Sequence, residues 1–84
     1  MTALANIIDY LRHEREPIEP WRLAAELARI DRLWRIQDAA YEVRTLAEYA
    51  DAIVAAVKAG QLRERNGRVE LVSVVRSEGQ KNLF

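Results

Sequence analysis

The sequence of 84 residues contains no cysteine. That absence excludes disulfide bonds, thiolate nucleophiles and cysteine-based zinc sites, and it suits a reducing compartment. The chain has a single histidine, His13, which lies among charged residues at the end of a predicted helix, where a cation is favoured. No glycine-rich loop is present to hold a phosphate, and the carboxylates are scattered. We therefore expect no catalytic residues, no metal site and no cofactor.

The chain also has no excess of positive or negative charge, because it contains 13 basic residues (Lys and Arg) and 13 acidic residues (Asp and Glu). No overall field draws the chain to nucleic acid or to a membrane surface, so any such attraction must come from local patches. No apolar run approaches the roughly 20 residues needed to cross a bilayer. The first residues do not have the pattern of a secretory signal. We expect a cytoplasmic protein with no membrane span.

The length allows one domain, and its composition is that of a packed globule. Half of the residues are hydrophobic and 31% are charged. We assign the domain to residues 1–75 and a flexible C-terminal tail to residues 76–84.

The first half of the chain predicts two helices separated by a proline-rich break. Apolar residues recur at helical spacing up to about Glu14, with Thr2 available as the N-cap. Pro17 and Pro20 end this helix, and Ile18 between them is a candidate for a very short strand. Pro20 is suited to the first position of the second helix because its missing N–H needs no partner there.

Two further helices are predicted. Residues 31–44 keep a weaker helical pattern and predict a third helix. The fourth spans about residues 46–59: Thr45 and Glu48 have the spacing of a capping box, and Gly60 follows as a left-handed C-terminal cap.

A β-hairpin is predicted after the last helix. Residues 61–65 and 68–75 flank Asn66-Gly67, a pair that favours a type I′ turn. If Arg65 pairs with Arg68, Leu62 and Leu71 face inward. The residues that then face outward are Arg63, Arg65, Arg68 and Glu70.

Helices followed by a hairpin with a basic tip form an order of elements that resembles the winged helix-turn-helix superfamily. The resemblance covers residues 2–75 and implies a fold that is mainly α with a C-terminal β-hairpin, three to four helices plus a wing. It also implies DNA binding by the helix before the wing. The long segment 31–44 departs from the short turn that the superfamily has between its second and third helices, so the recognition helix stays undecided.

The candidate DNA contacts lie outside the fourth helix, whose predicted outer face carries Glu48 and Asp51 and would be repelled by phosphates. Donors suited to phosphates and bases occur in the third helix and in the wing. These candidates are Arg32, Arg35, Gln37, Arg44, Arg63, Arg65 and Arg68. The alternatives are a solvated helix face with intrahelical ion pairs, and a charged hairpin rim that discourages aggregation.

The last five residues, Gln80-Lys81-Asn82-Leu83-Phe84, resemble the pentapeptide by which many bacterial proteins bind the DNA sliding clamp. That resemblance implies partner contacts by Gln80, Leu83 and Phe84, with the two apolar side chains filling a pocket. The alternative is that Leu83 and Phe84 fold back to complete a small core.

The aromatic residues are expected to fill the core, because aromatic side chains dominate the burial of small domains. They are Tyr10, Trp21, Trp34, Tyr41 and Tyr49. An exposed Trp34 would instead mark an interface.

Two functions follow from these patterns. The first is a non-enzymatic DNA-associated module, a small regulator or replication and repair accessory factor that docks a sliding clamp through its tail. The alternative is a protein-interaction adaptor or homodimer that uses a winged-helix fold without DNA. Close helix packing through Ala52, Ala55 and Ala59 would serve the alternative.

Overall fold

The computed structural model describes residues 2–72. Within that range the chain forms three helices and a two-stranded antiparallel hairpin. In chain order these elements are α1 (Ala3–Glu14), α2 (Pro20–Gln37), α3 (Leu46–Lys58), β1 (Leu62–Arg65) and β2 (Arg68–Leu71). The expected class, mainly α with a C-terminal hairpin, is confirmed. A search of this range for a helix that could cross a bilayer finds none.

Local capping explains where the helices begin. The Thr2 hydroxyl accepts a hydrogen bond from the Ala5 N–H at 3.1 Å, and Pro20 occupies the first turn of α2. The predicted capping box opens α3: the Glu48 N–H donates to the Thr45 hydroxyl at 3.1 Å, and the Thr45 N–H donates to the Glu48 carboxylate at 2.7 Å. These contacts pair backbone donors that a helix start leaves unpaired.

The core lies where the three helices meet the inner face of the hairpin. Apolar side chains at helical spacing on each helix turn toward it. Within residues 2–72 the buried hydrophobic side chains of the core are Ile7, Leu11, Leu23, Ala24, Leu27, Ala28, Tyr49, Ile53, Ala56, Leu62 and Val69. Because this set draws on α1, α2, α3, β1 and β2, each element is held by the others.

The hairpin has the predicted register. Leu62 pairs with Leu71 and Arg65 pairs with Arg68. The turn residues Asn66 and Gly67 have φ of 56° and 76°, as a type I′ turn requires. The predicted extension of the second strand to residue 75, and the tail at 76–84, lie outside the described residues.

Ile18 joins the proline-rich break to the hairpin. Its N–H donates to the Val69 carbonyl at 3.1 Å, and the Val69 N–H donates to the Ile18 carbonyl at 2.8 Å. This isolated antiparallel bridge gives β2 a second neighbour, as expected from Ile18 as a very short strand. It fixes the chain between α1 and α2 against the sheet.

The prediction of a separate third helix over residues 31–44 is wrong. The helix that starts at Pro20 continues through Asp31 and ends at Gln37, because nothing between residues 30 and 31 breaks it. Asp38 then leaves the helical region, with φ of −135° and ψ of 101°, and its carboxylate accepts from the Ala40 N–H at 3.0 Å. Such a local side-chain bond competes with continuation of the helix.

One buried carboxylate organises the segment after α2. Asp31 is only 2% exposed, and its two oxygens accept from the Tyr49 hydroxyl at 3.0 and 2.9 Å. They also accept from the Arg44 N–H at 3.0 Å and from the Tyr41 hydroxyl at 3.3 Å. The Asn6 amide donates to the Tyr49 hydroxyl at 2.9 Å and so extends the network to α1. A buried charge needs this degree of hydrogen bonding to be tolerated.

We predict that Asp31→Ala lowers the free energy of unfolding by about 3 kcal/mol, because it leaves the buried Tyr49 hydroxyl and Arg44 N–H without their acceptor. Asp51, on the exposed face of α3, provides the matched control, and Asp51→Ala is expected to change stability by less than about 0.5 kcal/mol. Urea unfolding followed by circular dichroism measures both. Equal losses in the two variants would contradict the role assigned to Asp31.

Candidate functional site

The predicted wing arginines are each paired with a carboxylate. Arg63 contacts Glu70 through Nη2 at 2.7 Å and Nε at 2.9 Å, and Arg65 Nη2 lies 3.4 Å from the same carboxylate. Arg68 Nε lies 3.7 Å from a carboxylate oxygen of Glu19. All three arginines remain about half exposed. Two carboxylates therefore offset part of the positive charge of the three arginines, whose guanidinium groups can still be reached from solvent.

The exposed face of α3 is acidic and apolar. Glu48 and Asp51 are exposed, as expected, and Val54 is 53% exposed beside them. The prediction that Ala52 faces outward is wrong, since it is half-buried and packs against the core. The small-residue face proposed for helix packing therefore lacks one of its three alanines, and carboxylates remain the main charges of this surface.

The end of α2 extends beyond the core. From Arg32 to Gln37 every residue is exposed, whereas the preceding turns contribute Leu23, Leu27 and Asp31 to the interior. Three of the exposed side chains are large and apolar: Leu33 at 49%, Trp34 at 52% and Ile36 at 80%. An apolar group of this kind on a helix end is typical of a contact surface.

Two tryptophans are therefore not in the core. Tyr49 is fully buried, as predicted, and Tyr10 and Tyr41 are partly buried, but Trp21 is 68% exposed and Trp34 is half exposed. Trp34 stacks on Tyr41, with ring centroids 6.2 Å apart and ring planes inclined by 23°. That stacking lies outside the core because Tyr41 belongs to the segment that Asp31 holds along α2.

The predicted DNA contacts form two separate groups. Arg32, Arg35 and Gln37 lie on the last turns of α2, and the Arg35 guanidinium donates to the Tyr41 carbonyl at 3.4 Å. The hairpin group lies near the other end of α2, where Arg68 meets Glu19 just before Pro20. An 18-residue helix is about 27 Å long. The structure thus does not merge the two groups into one patch.

Arg44 is not on a helix face with the α2 residues. It lies in the segment between α2 and α3, is partly buried, and donates its backbone N–H to Asp31. The candidate clamp-binding residues Gln80, Leu83 and Phe84 lie outside the described residues.

A groove of about 460 Å³ runs between α1 and the second half of α2. Leu27 and Ile30 form part of its floor, and the stacked Trp34 and Tyr41 form one side. Its polar lining residues are Asn6, Asp9, His13, Asp31 and Asp38. Sequence reasoning missed this groove because it assigned the aromatic residues to the core and residues 31–44 to a helix.

The tyrosines around this network resist ionisation. Burial raises the pKa of Tyr49 above its ordinary value of 10.0; the hydrogen bond from Asn6 opposes this, and Asp31 reinforces it. Burial likewise raises the pKa of Tyr41, with a further contribution from the Asp31 charge. Burial also raises the pKa of Tyr10, to which the charge of Glu14 adds. The Tyr41 and Tyr49 hydroxyls therefore stay protonated and donate to Asp31.

Residues 2–72 contain no group of three or more His, Asp or Glu side chains arranged to hold a metal ion. Comparison of the chain with protein-family models, curated proteins and solved structures finds no match.

We predict a loss of stability at alkaline pH that depends on Tyr49. Tyr41 and Tyr49 have higher pKa values in the folded state than in the unfolded state. Their neutral hydroxyls therefore stabilise the fold in full below pH 10.0, and this stabilisation is lost as the pH rises through the folded-state pKa values. Thermal unfolding at about pH 9 and about pH 11 measures the fall in Tm. The Tyr49→Phe variant should have a lower Tm than wild type at the lower pH, but its Tm should fall less between the two pH values. An equal fall in both proteins would contradict the assignment.

Proposed function

We propose that this domain is a non-enzymatic protein-interaction adaptor on a winged-helix scaffold, and that it forms a homodimer through the exposed end of α2. The observation that carries the proposal is the set of apolar side chains exposed on the last turns of that helix. Leu33 and Ile36 are three residues apart and so are neighbours on one side of the helix. Single exposed apolar residues are common on protein surfaces, but a contiguous group favours a contact site.

The winged-helix scaffold is supported by the order of elements and by one bridge. The chain passes through α1, the short bridge at Ile18, α2, α3 and the hairpin. The bridge pairs Ile18 with Val69 of β2, so that a short extended segment before α2 adds to the two-stranded sheet. This added extended segment supports the resemblance to the winged helix-turn-helix superfamily that the order of the helices and the hairpin suggests.

A second copy of the chain is the occupant that the charges favour. Within residues 2–72, Arg32 takes part in no salt bridge, and it precedes Leu33 and Ile36. The acidic residue Glu42 follows them and also has no salt bridge in that range. An antiparallel pair of helix ends around a two-fold axis would bring Arg32 of each copy toward the segment of the other copy that carries Glu42. Leu33 and Ile36 would then be buried at the centre.

DNA binding, the first function considered from the sequence, is less well supported by the geometry. Glu70 and Glu19 offset part of the charge of the three hairpin arginines, and carboxylates face solvent on the helix before the wing. Neighbouring carboxylates weaken the local positive potential that attracts phosphates. Accessible donors remain at Arg32, Arg35 and Gln37. DNA binding stays a prediction, and binding of a labelled duplex that falls steeply with salt would favour it over the adaptor.

We predict that the wild-type chain dimerises with a Kd of about 10 to 100 µM, since the contact area of two helix ends is small. Ile36→Glu and Leu33→Glu place carboxylates at the centre of the contact and should leave a monomer. Val54→Glu is the matched control, because Val54 is a similarly exposed apolar residue on α3. It should dimerise as wild type does. Sedimentation equilibrium measures all four proteins.

Two outcomes would contradict the homodimer. The first is a wild-type chain that remains monomeric up to about 1 mM, where even weak specific contacts form. The second is an Ile36→Glu variant that dimerises as well as the Val54→Glu control.

A further inference from the structure

The groove between α1 and α2 faces away from the proposed dimer contact. Successive residues of a helix are separated by about 100°, so Trp34 points to a different side of α2 from Leu33 and Ile36. The groove side of α2 carries Ile30 and Trp34, and one turn earlier Leu27. A dimer built on Leu33 and Ile36 therefore leaves the groove open for another occupant.

The groove combines an apolar floor with an aromatic wall. Leu27 and Ile30 offer aliphatic surface, while the rings of Trp34 and Tyr41 stand stacked at its side. Trp34 keeps half of its surface exposed despite this stacking. Apolar sites with a few fixed polar groups are the usual form of a ligand or peptide pocket.

Acidic groups outnumber basic groups in the groove. Its lining includes Asp9, Asp31 and Asp38, with one histidine, His13, and neither lysine nor arginine. Asp31 is fully engaged by Tyr49, Tyr41 and the Arg44 N–H. The carboxylates of Asp9 and Asp38 have fewer partners. Asp9 lies 3.8 Å from the His13 ring, and Asp38 accepts one bond, from the Ala40 N–H.

Carboxylates with few partners beside aromatic faces favour one kind of side chain. A guanidinium group can pair with a carboxylate through two parallel hydrogen bonds and can also stack on a tryptophan or tyrosine ring. Its aliphatic stem fits an apolar floor. In a domain whose total charges are balanced, this local excess of acid selects a cationic occupant.

We propose that this groove binds an arginine-bearing, otherwise apolar segment of a partner protein. The guanidinium lies against Trp34 and Tyr41 and pairs with Asp9 or Asp38, while adjacent apolar residues of the segment cover Leu27 and Ile30. The proposal names the partner class of the adaptor function and rests on it. It does not depend on the homodimer, which uses Leu33 and Ile36.

The test begins with selection of random peptides of about twelve residues, displayed on phage, against the full wild-type chain. The expected result is enrichment of sequences with an arginine next to apolar residues. Failure to enrich any peptide would overturn the proposal, as would enrichment of peptides without basic residues. Sedimentation of the Ile36→Glu chain tests the homodimer separately, so failure of one proposal is distinguishable from failure of the other.

Affinities of a selected, fluorescently labelled peptide then locate the site. Trp34→Ala should weaken binding about tenfold or more, and Asp9→Asn and Asp38→Asn about threefold each. Trp21→Ala is the matched control, because it removes an exposed tryptophan that does not line the groove. It should bind as wild type does. Replacing the peptide's arginine with glutamine should cost about tenfold. Equal affinities of the Trp34→Ala and Trp21→Ala chains for the peptide would overturn the assignment of the binding site to this groove.

Two other occupants are tested by fluorescence in a chain that carries Trp21→Phe and Ile36→Glu, which removes the proposed dimer contact and leaves Trp34 as the remaining tryptophan. Without peptide, emission that changes when Arg76 is also replaced by glutamine would assign the groove to this chain's own C-terminal segment. Emission that changes with protein concentration would assign it to a second copy. Either change would overturn the proposal, and constant emission that shifts only when the selected peptide is added supports it.

Discussion

The carboxylate of Asp31 lies where α2, α3 and the segment between them meet, and the shape of the groove beside α2 depends on it. Three donors converge on this group: the hydroxyls of Tyr49 and Tyr41 and the Arg44 N–H. Burial of an ionised group is costly, and the cost is offset only when its oxygens are hydrogen-bonded. The carboxylate therefore fixes how residues 38–45 return along α2. It holds Tyr41 where its ring can stack on Trp34.

This arrangement separates what is buried from what is offered to a partner. Up to Asp31 the inner face of α2 belongs to the core, and from Arg32 onward the helix is exposed. One side of that end carries Leu33 and Ile36, which we assign to self-association. The other side joins the groove. A helix that continues beyond its own core thus gives this small domain two distinct exposed surfaces, an apolar one and a groove.

Local sequence signals predicted most of the fold. The hydroxyl of Thr2, the capping box at Thr45 and the turn at Asn66-Gly67 act within a few residues, so their geometry can be read from spacing. The continuity of α2 could not be predicted in that way. The hydrogen-bond donors to Asp31 lie between 10 and 18 positions away in the sequence. Taken with its neighbours alone, an aspartate at position 31 is equally compatible with the start of a new helix. For the same reason the groove, which needs three segments, was not predicted. Neither was the exposure of Trp34.

The most direct test of this account is amide hydrogen exchange in the wild type and in Asp31→Asn, with attention to the Arg44 and Tyr41 amides. We predict that in the wild type the Arg44 amide, which donates to Asp31, exchanges slowly. In Asp31→Asn the segment between α2 and α3 should exchange faster, while core amides such as that of Ile53 keep their protection. Unchanged exchange at Arg44 in the variant would contradict the claim that this carboxylate holds the segment in place.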